Sequence, residues 1–299
     1  MDSKKAIIFG ATGQDGRYLR DLLLEKGWEV APFDAHGKPA LVDVADASAV
    51  DRWIRTHRPA RIFHFAARST TSLDAGTDNF RAIALGAWNI LASAWKHVPR
   101  SRVLIAGSGL QFLNRGRPIR EEDPFDPSSP YAVARIAAVQ TARYFRRLGL
   151  RAYVGYLFHH ESPRRRPEQM SRRIAAAAAG KMRGSLFIGD GRVRKEWAYA
   201  GDIVRGMWAL ISQTRVMEAC IGTGKAYSIE DWVRACFAVH QGDWRKKIVM
   251  GRNGFVPEYR ILVSHPRRIF SLGWRPRVSL NQLARLMVEA ERTGLGSQR

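Results

Sequence analysis

The chain has 299 residues, 45% of them hydrophobic, with a formal net charge of +22 and two cysteines. This length suffices for one large domain or for two lobes that share a core, and two cysteines cannot form a disulfide framework or a Cys-based zinc site. No apolar run approaches the roughly 20 residues that span a bilayer, and the first residues lack the features of a signal peptide, so we expect no membrane association, no metal and a reducing, cytoplasmic setting.

The positive charge is concentrated in one stretch of the chain. Residues 143–183 contain eleven Lys or Arg residues and two Glu residues. A charge of this sign attracts nucleic acid, anionic membrane surfaces or small polyanions. No zinc finger, RNP aromatic motif or basic heptad accompanies it. We therefore favour a site for a small polyanionic substrate and keep nucleic-acid binding as the less favoured alternative.

Strands and helices alternate regularly through the first 158 residues. Short apolar runs predict strands at 6–9, 29–33, 61–67, 102–108 and 152–158. The stretches between them predict helices at 14–26, 46–56, 83–97 and 130–148. Such alternation implies parallel strands joined by right-handed crossovers. The sequence therefore predicts an α/β fold, a doubly wound parallel sheet of the Rossmann type.

The rhythm loosens after residue 158. The sequence predicts loops at 159–169 and 189–199, strands at 186–188 and 219–224, and helices at 169–182, 200–212, 229–240 and 280–293. Ser228 is expected to cap the helix at 229–240, with Asp231 three residues on. We infer that residues 1–158 and about 199–227 form the Rossmann domain. The remainder, about 159–198 and 228–299, forms a smaller C-terminal lobe.

A glycine-rich turn separates the first predicted strand from the first helix. Gly10 permits a tight turn, Gly13 lets the backbone approach a pyrophosphate, and Gly16 lets helix and strand pack closely. The N-terminus of the helix then attracts the anion. Gln14 and Asp15 belong to the same turn. This placement predicts a dinucleotide-binding site.

Asp34 ends the second predicted strand, 18 residues after Gly16. A carboxylate there accepts hydrogen bonds from both ribose hydroxyls of NAD and repels a 2′-phosphate. We therefore expect NAD, with NADP possible because His36 and Lys38 lie close by. Asp43, followed by Val44, is placed to hold the adenine edge, or else to cap the following turn.

The order of motifs resembles the extended short-chain dehydrogenase/reductase family. The glycine turn is followed by HFAA at 64–67, then by Ser108, and then by Tyr131 with a basic residue four positions later. The resemblance implies that Ala66 and Ala67 line the cofactor. It also implies that Tyr131 exchanges a proton with a substrate oxygen that Ser108 holds.

Three longer segments resemble the GDP-mannose 4,6-dehydratases more narrowly. These are GATGQDGRYLRDLLLEKGWEV, YLFHHESPRR and KEWAYAGDIVRGMWAL, and together the likeness covers nearly the whole chain. It implies an NAD(P)-dependent enzyme that acts on a nucleotide sugar, a GDP-linked hexose bound by the C-terminal lobe. We also expect a homodimer. Substrate contacts are assigned by the resemblance to Ser69, His159, Glu161, Arg165, Arg173 and Lys195.

The likeness fails at several positions that bear on chemistry. Arg135 stands where the family has a lysine that supports proton transfer by the tyrosine and holds the nicotinamide ribose. It keeps a cation one helical turn beyond Tyr131, but a guanidinium is planar and its charge more diffuse. The alternative is that Tyr131 is only a buried aromatic and Arg135 a surface residue.

Leu110 stands where the dehydratases carry a glutamate that acts as acid and base during loss of water. Leucine cannot transfer a proton. Ile83 and His159 each replace an asparagine of the family. We therefore expect 4-keto reduction or epimerisation at C4 rather than dehydration. The alternative is a dinucleotide- or nucleotide-sugar-binding protein without turnover, acting as a partner or regulatory subunit.

Overall fold

A parallel six-stranded sheet lies at the centre of the computed structural model, which describes residues 4–31, 42–68, 70–251 and 256–294. The strands are β1 (Lys5–Phe9), β2 (Glu29–Ala31), β3 (Arg61–His64), β4 (Arg102–Ser108), β5 (Arg151–Leu157), β6 (His160–Glu161), β7 (Leu186–Ile188), β8 (Arg194–Glu196), β9 (Ala198–Tyr199), β10 (Glu218–Ile221), β11 (Ala226–Ser228), β12 (Ile248–Met250) and β13 (Ile261–Leu262). The helices are α1 (Gln14–Glu25), α2 (Ala47–His57), α3 (Gly76–Asn79), α4 (Gly86–His97), α5 (Pro130–Arg147), α6 (Met170–Ala178), α7 (Ala200–Ile211), α8 (Ile229–Ala238), α9 (Arg267–Ser271) and α10 (Leu280–Thr293).

The central sheet has the strand order β2-β1-β3-β4-β5-β10, and every neighbouring pair is parallel. Helices cover both of its faces. Successive side chains along a strand point to opposite faces, so each strand packs against helices on both sides. Ile7 of β1 packs in a cluster with residues of α2, α4 and α5. Ile8, its neighbour, packs on the other face with residues of α1 and α7. The predicted doubly wound α/β fold is confirmed.

A third apolar cluster forms the core of the region built from α6, α8 and α10 with β7 and β12. Trp197 and Trp232 stack at its centre, with ring centroids 4.6 Å apart. α8 begins with the predicted cap, since Ser228 accepts from the Asp231 amide at 2.9 Å and donates its own amide to the Asp231 carboxylate at 2.8 Å. The proposed division into two lobes at the stated boundaries stays a prediction.

Several predicted boundaries are wrong. The loops at 159–169 and 189–199 contain the short strands β6, β8 and β9, and their two or three residues are too few to show a periodicity. The helix expected at 83–97 is preceded by helical turns from Gly76, including a π-helical segment at Phe80–Leu85. Among the described residues, no helix is long and apolar enough to cross a membrane.

Candidate active site and cofactor turn

The glycine turn has the geometry of a phosphate cradle. Gly10 has φ +94°, and a Cβ there would lie 2.7 Å from the Ala66 amide nitrogen. A Cβ at Gly16 would lie 2.3 Å from the Gly10 carbonyl oxygen, so both positions exclude a side chain. Gly13 precedes α1, and no side chain caps that helix. The first-turn amides of α1 are therefore available to an anion, and this cradle fits a dinucleotide.

The other predicted cofactor residues are described only in part. Val44 is buried, and its carbonyl accepts from the Asn89 side chain at 2.9 Å. The Asp43 carboxylate is exposed and accepts from the Ala45 amide at 2.9 Å, which is the turn-capping arrangement. Ala67 is half-buried just after β3. The predicted positions Asp34 and Ser69 lie outside the described residues.

Ser108 and Tyr131 occupy the carboxyl end of β4 and the first turn of α5, two elements that pack together. Both side chains are buried. The Ser108 hydroxyl accepts from the Leu110 amide at 3.2 Å, which leaves its own proton available for donation. Leu110 itself is partly buried and packs against the apolar cluster that contains Tyr131.

Arg135 lies beneath Tyr131 and is 5% exposed, so the alternative that it is a surface residue is wrong. Its guanidinium carbon is 5.0 Å from the centroid of the Tyr131 ring, within the range of a cation–π contact. Its Nη1 donates to the Ala106 carbonyl of β4 at 2.5 Å. One nitrogen of the guanidinium is thus hydrogen-bonded to the backbone of the sheet. The roles assigned to Ser108, Tyr131 and Arg135 stay predictions.

His64 and the substituted position Ile83 meet near Arg135. His64 is fully buried, and its Nε2 is 3.3 Å from the carbonyl oxygen of Ile83 in the π-helical segment. Burial, reinforced by the charge of Arg135, lowers the pKa of His64 to about 4. No group of metal-ligating side chains is present in the described ranges.

Four of the predicted substrate residues form one cluster, which we call the basic cluster: His159, Glu161, Arg165 and Lys195. His159 Nε2 is 3.0 Å from Glu161 Oε1, and Arg165 Nε is 3.5 Å from Glu161 Oε2. Lys195 Nζ lies 4.9 Å from the centroid of the Trp197 ring. Arg165 and Lys195 are thus two cations that both act on the Glu161 carboxylate.

The ionisation of the basic cluster follows from burial and from these neighbours. Burial would raise the pKa of Glu161, but Arg165 and His159 outweigh it and hold that pKa at about 2. Burial is also the main reason why the pKa of Lys195 falls to about 8, with Glu161 opposing and Arg165 assisting the shift. At neutral pH, Arg165 and Lys195 exceed Glu161 by one positive charge, which suits an anionic ligand.

Arg173 is exposed on α6, and its role in substrate binding stays a prediction. Its neighbour Arg172, which sequence reasoning missed, is buried, forms an ion pair with Glu291 and donates to the carbonyl of Arg165. Arg172 thereby fixes the backbone that carries Arg165. Arg172 is among the buried residues of α6, whereas Arg173 is not, and the pattern of α6 alone does not distinguish the two.

Sequence reasoning also missed the contacts between the segment after β5 and the glycine turn. His160 Nε2 lies 2.8 Å from Asp15 Oδ1, and the Ser162 hydroxyl donates to Gln14 Oε1 at 2.8 Å. Both motifs were recognised separately, but nothing in their spacing indicated that they touch.

The glycine cradle and the Ser108–Tyr131 pair follow strands β1 and β4 of one parallel sheet. Sites at the carboxyl edge of such a sheet are typical of Rossmann enzymes that bind a dinucleotide together with a second substrate. The family model for GDP-mannose 4,6 dehydratase matches residues 7–287. The chain therefore belongs to the GDP-mannose 4,6-dehydratase family, as its motifs indicated.

Individual relatives agree with this membership. GDP-mannose 4,6 dehydratase 1 of Arabidopsis thaliana is 30% identical over 323 residues, covering 96% of this chain and 90% of the relative. RMD from Pseudomonas aeruginosa, solved in complex with NADPH, has a similar fold, with a TM-score of 0.84 and 20% identity over 97% of this chain and 99% of its own. UDP-glucose 4-epimerase from Thermotoga maritima, solved with UDP-glucose, also has a similar fold. Its TM-score is 0.85, and it is 23% identical over 97% of this chain and 99% of its own.

Proposed function

We propose that this protein is an NAD(P)-dependent enzyme that reduces or epimerises at C4 of a GDP-linked hexose or 4-keto-hexose and does not dehydrate it. The observation that carries the proposal is Leu110. It lies two residues after Ser108 and packs, partly buried, against the apolar cluster that contains Tyr131. A leucine supplies neither the acid nor the base that loss of water requires.

The glycine cradle supports the binding of NAD(P). Gly10, Gly13 and Gly16 allow a pyrophosphate to approach the first turn of α1, which carries Asp15. When bound, the nicotinamide supplies or accepts the hydride. A preference for NAD over NADP rests on Asp34 and is tested by titrating both cofactors into the purified protein.

Tyr131 and Ser108 are the groups that we assign to the substrate 4-oxygen. The Ser108 hydroxyl already accepts a hydrogen bond from the Leu110 amide, so its proton is free to donate to that oxygen. Tyr131 donates a proton to the same oxygen as a ketone becomes an alcohol, or removes it in the reverse direction. Arg135 keeps a positive charge beside the Tyr131 ring.

The basic cluster supports a nucleotide diphosphate as the anionic part of the substrate. Arg165 and Lys195 supply two cations, and Glu161 orients Arg165. Arg173, exposed on the neighbouring α6, is a further candidate for the diphosphate. We assign this ligand to the GDP-sugars because of the family.

A homodimer is supported by an aromatic face on α4 and α5. Trp88, Trp95 and Tyr144 are each about half exposed, and Trp88 stacks on Tyr144 at 6.2 Å. Burying such a face against a second copy is favourable. Light scattering of the native protein and of Trp88→Glu tests this, because the variant should be monomeric. The two cysteines are buried and unpaired, which fits the proposed cytoplasmic setting.

The second candidate is a cofactor- and nucleotide-sugar-binding protein without turnover. The contact of Arg135 with the Ala106 carbonyl favours it, because a guanidinium held by the sheet supports chemistry less well than a free ammonium. Native protein, Arg135→Lys and Tyr131→Phe are compared for oxidation of NAD(P)H with a 4-keto GDP-hexose and for conversion of a GDP-hexose to its C4 epimer. Native activity, increased by Arg135→Lys and abolished by Tyr131→Phe, supports the enzyme. Cofactor binding without activity in all three supports the second candidate.

Leu110→Glu tests the role of Leu110 by restoring the glutamate that the dehydratases carry at this position. If Leu110 is the reason why water is retained, the variant gains a slow dehydration of GDP-mannose, detected by mass spectrometry. Leu110→Gln is the matched control because it has a similar shape and no ionisable group. Dehydration by the native protein would contradict the proposal.

A further inference from the structure

We propose that His160 and Asp15 form a partly buried link through which the cofactor turn and the basic cluster affect each other, so that a bound nucleotide diphosphate raises the affinity for the dinucleotide. His160 is in this sense a positioning residue. The proposal rests on the proposed function, which places the two ligands at these two sites.

The two residues of β6 direct their side chains to different sites. β6 pairs in parallel with β9, with His160 opposite Ala198 and Glu161 opposite Tyr199. Successive side chains of an extended segment point to opposite sides. His160 accordingly contacts Asp15 in the first turn of α1, whereas Glu161 faces Arg165. Neighbouring residues of one short strand therefore touch both proposed ligand sites.

The link between His160 and Asp15 is an ion pair. His160 Nδ1 is 2.7 Å from the Phe158 carbonyl oxygen, and Nε2 is 2.8 Å from Asp15 Oδ1. Both neighbours are acceptors, so both ring nitrogens donate and the ring is an imidazolium. Burial opposes this charge, but Asp15 outweighs burial and raises the pKa of His160 above its ordinary value. His160 in turn lowers the pKa of Asp15 against the effect of burial.

The surroundings make this pair sensitive to displacement. Arg165 is the other charged group that acts on both members, and it opposes the charge of His160. Removing either partner leaves a partly buried charge without its counter-ion, which is unfavourable. A shift of the first turn of α1 therefore carries His160 and the backbone of β6 with it. The hydrogen bond from Ser162 to Gln14 ties the same two segments together.

The effects of the two ligands on each other's affinity are reciprocal. Binding of the dinucleotide fixes the first turn of α1, which fixes Asp15, His160 and, through β6, the Glu161 carboxylate that orients Arg165. By thermodynamic linkage, a diphosphate that fixes Arg165 must favour the dinucleotide by the same factor. Couplings between sites in proteins are typically about 5- to 150-fold.

The test is the calorimetric affinity of NAD(P)H measured with and without saturating GDP. The native protein should bind NAD(P)H at least about fivefold more tightly with GDP, a ratio at the low end of known couplings. His160→Gln and Asp15→Asn should each bring this ratio close to one. Arg164→Met is the matched control: Arg164 joins the same loop to the same helix through Asp21, but this pair is exposed, and the ratio should stay within about twofold of native.

A second measurement does not depend on the stability of these variants. In a Lys195→Arg background, where the basic cluster keeps its charge, the ratio should fall as the pH rises through the raised pKa of His160. If the protein binds neither NAD(P)H nor GDP, both this inference and the proposed function fail. If both ligands bind independently, with a ratio of one at every pH, the inference fails and the proposed function stands.

Discussion

Replacing Lys195 by arginine should remove a loss of ligand affinity that we expect of the native protein at alkaline pH. Burial and the neighbouring Arg165 lower the pKa of the Lys195 ammonium to about 8, despite the opposing effect of Glu161. The charge is therefore present below pH 8 and is lost above it. An arginine stays protonated over the whole range.

The expected magnitude follows from the fraction of charged Lys195. With a pKa of about 8, that fraction is about 0.9 at pH 7 and about 0.1 at pH 9. If the diphosphate binds only the charged form, affinity falls about tenfold between these two pH values. This corresponds to about 1.4 kcal/mol of binding free energy.

The assay is calorimetric titration of GDP into native protein and Lys195→Arg at pH 7, 8 and 9. The ratio of the two affinities cancels any ionisation of GDP itself, and it should change about tenfold. Lys225→Arg, at an exposed lysine near the start of β11, is the control and should follow the native profile. Parallel pH profiles for native protein and Lys195→Arg would refute the reasoning.

Two further substitutions test the cofactor turn and the edge of the sheet. Gly16→Ala should weaken NAD(P)H binding by more than about tenfold, because its Cβ would lie 2.3 Å from the Gly10 carbonyl oxygen. The control is Gly27→Ala, which strains a turn with φ +71° and should lower Tm without weakening NAD(P)H binding. Burial would raise the pKa of Glu218, but hydrogen bonds, foremost from Arg143, hold it at about 2. Glu218→Gln should therefore cost about 3 kcal/mol at pH 7. In denaturant titrations, the difference from native should shrink as the pH falls from about 4.5 to 2, and a constant difference would be inconsistent with this account.

The cofactor turn could be predicted from the sequence because its constraints are local. Gly10 and Gly16 are required by backbone atoms within the turn and at the end of the adjacent strand. The alternation of strands and helices likewise shows in short windows of sequence. The core of the fold and the position of the glycine cradle follow from such local patterns.

The contacts that join distant segments could not be predicted in this way. Asp15 and His160 are separated by 145 residues, and the pairing depends on how β6 docks beside β9, a strand of only two residues. The partner of Arg135 is a backbone carbonyl, for which the sequence carries no specific signal. Burial and pairing of this kind appear only when the tertiary arrangement is known.

The central claim is C4 chemistry on a GDP-hexose without loss of water. It is tested most directly by one mass-spectrometric measurement of the nucleotide sugars after incubation with cofactor, in which isotopically labelled GDP-mannose and its unlabelled 4-keto-6-deoxy derivative are offered together, so that any water lost from GDP-mannose appears in a labelled product. The account predicts that the 4-keto compound gains two hydrogens, or that a C4 epimer separates chromatographically, while GDP-mannose never loses water. Multiple turnovers of GDP-mannose to a product lighter by one water would contradict it.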